Sequence, residues 1–114
     1  MIDPALEWLE TSGLGGFAMG TVSGERTRRY HGLLLVDRHQ QRTMLVNGLE
    51  VWAQTSSGTY PLSTHIYDGG HRFPEGQRFI TRFSLHPCPK WEYVLGDGTI
   101  INQELLIPHG TESV

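Results

Sequence analysis

Arg78-Phe79-Ile80-Thr81-Arg82-Phe83-Ser84-Leu85 is the stretch that decides the fold. In an extended chain, successive side chains point to opposite faces. Phe79, Thr81, Phe83 and Leu85 then share one side, and Arg78, Ile80, Arg82 and Ser84 share the other. That alternation predicts a strand with one face on a core and one toward solvent. Pro87-Cys88-Pro89 ends it. Beyond, Trp91–Leu95 and Thr99–Ile107 read as two strands joined by Gly96-Asp97-Gly98, a strong tight-turn signal.

Working toward the N-terminus, the same grammar repeats. Ile66–Gly76 reads as a loop holding Asp68, Gly69, Gly70, Pro74 and Gly76. Thr43–Gln54 reads as strand interrupted by a hairpin turn or bulge at Asn47-Gly48, and Ser57-Gly58 joins it to Thr59–Leu62. Arg28–Val36 is a further strand, with Tyr30, Leu34 and Val36 on one side and Arg29, His31, Leu33 and Leu35 on the other. Phe17–Val22 and a short segment Leu6–Glu10 complete the set. Glycine (14) and proline (6) punctuate these segments, and helical periodicity is absent, so the fold class is all-β, an antiparallel β-sandwich.

The length, 114 residues, suits one domain, 1–114, and the hydrophobic fraction of 38% suffices to fill a modest core. A net charge of −3 gives no broad attraction to nucleic acid or anionic lipid, so neither is expected as a partner. Eight arginines stand against one lysine, Lys90. The single cysteine, Cys88, rules out an intramolecular disulfide. With no basic-then-apolar leader and no apolar run near the ~18 residues of a membrane span, the expectation is a soluble, cytoplasmic protein.

The motifs that would carry chemistry are mostly incomplete. Gly13-Leu14-Gly15-Gly16 lacks the Gly-Lys-Ser/Thr of a phosphate-binding loop and the βαβ setting of a dinucleotide site, so its glycines are read as a tight turn and no cofactor is expected. Histidines 31, 39, 65, 71, 86 and 109 have no ligand spacing, and Cys88 has no partner, so no metal is expected. No nucleophile elbow occurs, and no pair of carboxylates can be nominated for glycoside hydrolysis, so no catalytic residue is assigned. Trp8, Trp52 and Trp91 suit either core positions or a sugar-stacking platform. The segment Thr27-Arg28-Arg29-Tyr30-His31-Gly32 gathers two guanidiniums, a phenol and an imidazole. It reads either as a strand end lining a sugar cleft or interdomain joint, or as arginines pairing with carboxylates at a sheet edge.

Glu7-Trp8-Leu9, Gly13-Leu14-Gly15-Gly16-Phe17-Ala18, Gly20-Thr21-Val22 and Thr27-Arg28-Arg29-Tyr30-His31-Gly32-Leu33-Leu34 together resemble the N-terminal signature of bacterial and archaeal glycogen debranching enzymes. Arg42-Thr43-Met44-Leu45, Leu49-Glu50, Tyr60-Pro61-Leu62-Ser63, Pro74-Glu75-Gly76, Phe83 and Pro89-Lys90-Trp91-Glu92-Tyr93 continue in family order. Ser12 departs from it, where the family more often has Asn. The resemblance implies part of a large "supersandwich" followed, in such enzymes, by an (α/α) barrel that carries the acids for α-1,6 hydrolysis. Nothing in this sequence resembles that barrel, and the chain is expected to stop inside the sandwich. It implies a non-catalytic role beside the barrel, with α-glucan as the parent's substrate. On the sugar-cleft reading of Thr27–Gly32, Arg28, Arg29, Tyr30 and His31 are the candidate substrate contacts. A free-standing carbohydrate-binding module is the alternative. A sandwich cut short leaves the Thr99–Ile107 edge bare, which predicts a homodimer through that edge.

Overall fold

The computed structural model describes residues 2–38, 40–67 and 71–114, with the backbone alone at Ile66, Tyr67 and Arg72. Its strands are β1 (Glu7–Thr11), β2 (Phe17–Thr21), β3 (Gly32–Arg38), β4 (Gln41–Val46), β5 (Trp52–Thr55), β6 (Gly58–Pro61), β7 (Thr64–Tyr67), β8 (His71–Glu75), β9 (Ile80–Ser84), β10 (Lys90–Val94) and β11 (Ile100–Glu104). A 3₁₀ turn, Gly76–Phe79, precedes β9. The all-β expectation holds.

Two antiparallel sheets make the sandwich. One has the order β1-β2-β3-β4 and the other β11-β10-β9, while β5-β6 and β7-β8 are separate hairpins. The core lies between the layers. Trp8, Ala18, Val22, Leu34 and Val36 of the first layer meet Trp91, Tyr93, Leu95, Leu105 and Ile107 of the second. Trp8 and Trp91 touch edge to face, with centroids 5.6 Å apart and planes at 87°. Each buried indole N–H has a backbone acceptor. Trp8 Nε1 donates to the Thr21 carbonyl at 3.1 Å. Trp91 Nε1 donates to the Val22 carbonyl at 2.8 Å. Gly20 is required beneath Trp8, because a Cβ there would lie 2.9 Å from the indole.

The β1–β2 turn explains the glycine cluster. Ser12 Oγ accepts the N–H groups of Leu14 and Gly16, both at 3.1 Å, and Ser12 N–H bonds the Gly16 carbonyl. An Asn carboxamide oxygen makes the same kind of bond, so the departure at Ser12 keeps the turn. Gly13 adopts φ +81°, and a Cβ there would fall 2.2 Å from the His109 ring.

Four expectations need correction. Residues Arg28–His31 do not extend the third strand, which begins at Gly32; they turn instead, for reasons given below. Asn47-Gly48 closes no hairpin, because β4 pairs with β3 and β5 with β6. The stretch 66–76 is largely strand: β7 pairs with β8, with Thr64 opposite Glu75. Asp68, Gly69 and Gly70, placed in that loop from sequence, lie outside the described residues. In the deciding stretch, β9 pairs Arg82 with Glu92 but Ile80 with Tyr93, leaving Thr81 as an extra, bulged residue. The bulge lets Phe79, Ile80 and Phe83 all pack on the core, while Thr81 and Leu85 are exposed. The Ser57-Gly58 hairpin and the Gly96–Gly98 turn occur as expected. They are joined, since the Ser57 hydroxyl donates to Asp97 Oδ2 at 2.8 Å.

Replacing Trp91 by Phe removes the donor to Val22 and part of the ring volume. The expected loss is about 3 kcal/mol in urea unfolding. Burial pushes the Tyr93 phenol up to about 12. An unfolded tyrosine ionises near about 10, so this protein's stability is intact below that pH and falls as pH rises toward 12. The expected loss is about 2–3 kcal/mol, read as a urea midpoint that drops across that window and drops less in Tyr93→Phe.

Candidate functional site

The candidate residues 28–31 form a turn ahead of β3, closed by the His31 N–H to the Arg28 carbonyl at 3.1 Å. His31 is the reason the chain turns. Its side chain is fully buried. Its Nδ1 lies 3.0 Å from the Thr27 N–H and 3.1 Å from the Arg28 N–H. Two donors converging on one ring nitrogen require a lone pair there, so the proton sits on Nε2. Nε2 then donates to Glu7 Oε1 at 3.1 Å. Arg28 Nε donates to the same oxygen. A strand cannot present consecutive N–H groups to one acceptor, which is why the alternation read over residues 28–36 begins only at Gly32.

Glu7 is the member that sequence reading missed. It is 24 positions from His31 and becomes its neighbour only through the β1–β2–β3 register. Trp8 faces the core, so Glu7 faces the outer side of the sheet. The Arg28 hydrogen bond holds the Glu7 carboxyl below its usual range against the opposing effect of burial, and the Arg28 charge and the His31 bond add to it. Glu7 is thus kept ionised between two donors.

The four candidates divide. Arg28 and His31 turn toward Glu7, and His31 is closed to solvent. Arg29 and Tyr30 are exposed. Tyr30 lines a shallow groove of about 480 Å³ on the outer face of the four-stranded sheet, whose walls include Leu9, Phe17, Met19 and Arg42. The Arg42 guanidinium lies 5.2 Å over the Phe17 ring. A larger cavity of about 730 Å³ lies elsewhere, with Leu49, Val51, Leu62, Tyr93, Gln103 and Leu105 among its walls. Of the tryptophans, Trp8 and Trp91 are core, whereas Trp52 is exposed with its Nε1 donating to Glu50 Oε1 at 3.1 Å. Among the described residues, no three His, Cys, Asp or Glu side chains come close enough to hold a metal ion, and no helix is long and apolar enough to cross a membrane.

The model of the family described as glycogen debranching enzyme N terminal matches residues 6–114. The chain belongs to that family. The match takes in both Glu7 and the Thr27–Gly32 turn, so the two segments bonded through His31 both lie within the debranching-enzyme N-terminal domain. No curated protein and no solved structure matches the chain.

Because both nitrogens of His31 are engaged, His31→Leu strands two backbone N–H groups. The expected cost is about 2–4 kcal/mol, measured by denaturant unfolding, with faster hydrogen exchange at the Thr27 and Arg28 amides.

Proposed function

We propose that this chain is a non-catalytic β-sandwich portion of an amylo-α-1,6-glucosidase. It braces the catalytic (α/α) barrel of the parent enzyme and adds a weak contact to α-glucan in the cytoplasm. The family match over residues 6–114 is the observation that carries this reading. Within the candidate set, Arg29 and Tyr30 are the direct contacts, and Arg28 and His31 position them. Tyr30 offers a ring face beside a groove with an apolar floor, and Arg29 and Arg42 offer planar donor arrays suited to sugar hydroxyls. The ionised Glu7, shared by Arg28 and His31, is unsuited to be the protonated acid that glycoside cleavage requires.

The isolated chain is therefore expected to release no glucose from a branched limit dextrin. Adding maltooligosaccharide is expected to shift the backbone amides of residues 28–32 and of Phe17 and Arg42, with millimolar affinity. Tyr30→Ala is expected to abolish those shifts and leave unfolding unchanged. Glucose release that vanishes on mutating a carboxylate of this chain, or shifts centred on Trp52 instead, refutes the assignment.

A further inference from the structure

Asn47-Gly48 carries a turn signal but closes no hairpin, since β4 ends at Val46 and β5 begins at Trp52. An Asn before a Gly is chemically labile. The backbone nitrogen of the second residue can attack the side-chain carbonyl carbon of the first and close a succinimide ring, and glycine puts no side chain in the way. The sequence has two asparagines, Asn47 and Asn102, and only the first precedes glycine. It also has two Asp-Gly pairs, Asp68-Gly69 and Asp97-Gly98, where the same ring closure would isomerise the acid. The first of these lies outside the described residues.

Local bonding separates Asn47-Gly48 from Asp97-Gly98. The Gly98 N–H bonds the Leu95 carbonyl at 2.9 Å. Asp97 Oδ1 accepts the Thr99 N–H at 3.0 Å, and Oδ2 accepts the Ser57 hydroxyl at 2.8 Å. Hydrogen bonds from Thr55, Thr99 and Ser57 hold this carboxyl well below its usual range, and an ionised carboxylate resists attack by a nucleophile. At Asn47-Gly48 both reacting groups are open. The two residues are exposed, and among the described residues no hydrogen bond holds the Asn47 carboxamide or the Gly48 N–H. A Cβ on Gly48 would first meet the Arg26 guanidinium, at 3.7 Å. A cation at that place offsets the negative charge that develops as the Gly48 N–H ionises. Asn102 lies instead within β11, opposite Glu92 of β10, and precedes the bulkier Gln103.

We propose that Asn47-Gly48 is a self-modification site, at which Asn47 deamidates with the Arg26 guanidinium assisting. Hydroxide takes the Gly48 N–H proton. The nitrogen attacks Asn47 Cγ and the new C–N bond closes the succinimide. The Cγ–Nδ2 bond breaks, and Nδ2 takes a proton from water and leaves as ammonia. Water then adds to one of the two ring carbonyls and opens the ring, leaving aspartate or isoaspartate at position 47. Either product adds a negative charge to a chain of net charge −3, and places it beside Arg26. Isoaspartate also lengthens the main chain by one methylene. Asn47, Gly48 and Arg26 all line the cavity of about 730 Å³, so the change falls on its wall. The reaction needs only water, hydroxide and one dipeptide, and no partner surface.

Incubating the 114-residue chain in buffers from neutral to mildly alkaline pH, with peptide mapping by mass spectrometry, tests this. Conversion is expected at residue 47 at least about tenfold faster than at Asn102, with a rate that rises with hydroxide, and isomerisation at Asp97 is expected to lag behind it. Gly48→Ala is expected to slow the conversion at least about tenfold. The added Cβ makes an ordinary contact at 3.7 Å, and Gly48 is not among the glycines of positive φ, so folding is expected to survive, checked by unchanged circular dichroism. Arg26→Gln is expected to slow the conversion about threefold in the folded chain, the size of an exposed charge interaction, and to leave the rate in urea unchanged. That comparison separates what the fold adds from what the dipeptide does alone. Conversion at residue 47 no faster than at Asn102, faster isomerisation at Asp97, or a folded-state rate indifferent to Arg26→Gln overturns the proposal.

Discussion

The two indole N–H groups that end on adjacent carbonyls, Thr21 and Val22, set the geometry of the sandwich. Trp8 belongs to one sheet and Trp91 to the other, yet both bond the end of β2. Dispersion and hydrophobic burial are non-directional and leave the sheets free to slide. Two directional bonds at one strand end remove that freedom, and they make the burial of two polar rings tolerable. The ring-to-ring contact and the bare Gly20 beneath Trp8 follow from the same closeness.

The candidate site hangs from this joint. β1 turns Trp8 inward and, by the pleat, Glu7 outward. A strand held by the buried indole therefore holds the carboxylate as well. Glu7 receives His31 and Arg28, and His31 in turn fixes the two amides that bend the chain. The turn before β3 is consequently built on the core by a short chain of bonds. Its exposed members, Arg29 and Tyr30, inherit a defined position without being packed themselves.

Much of this was legible in the sequence, because period-two alternation and glycine punctuation are local signals. The Ser57-Gly58 hairpin and the Gly96–Gly98 turn can each be read from a few adjacent residues. The failures have separate physical origins. An extra residue breaks the alternation at Thr81 in β9, and Leu45 does so in β4, where Leu34 pairs with Val46 but Leu35 with Met44. Each bulge flips the face of everything beyond it, and nothing in the residue types at Thr81 or Leu45 announces one. β7 and β8 were missed because Gly and Pro near residues 69–76 outweighed a short strand pair. Glu7 was missed because a contact across 24 positions exists only once the register is known.

The division within the Arg28–His31 turn constrains what the segment does. His31 has two ring nitrogens, one accepting two amides and the other donating to Glu7. It has no hydrogen-bonding capacity left, and it is closed to solvent. Arg28 keeps exposed guanidinium surface, but its Nε is committed to the same carboxylate. A segment whose polar richness first suggested four ligand contacts therefore spends half of them on its own shape. Of the remaining two, both exposed, Tyr30 lines a groove whose walls include Phe17 and Met19, with Arg42 stacked on Phe17. Any recognition at this face is consequently a matter of ring faces and planar guanidiniums held still by a buried imidazole, with no need for the imidazole to meet the ligand.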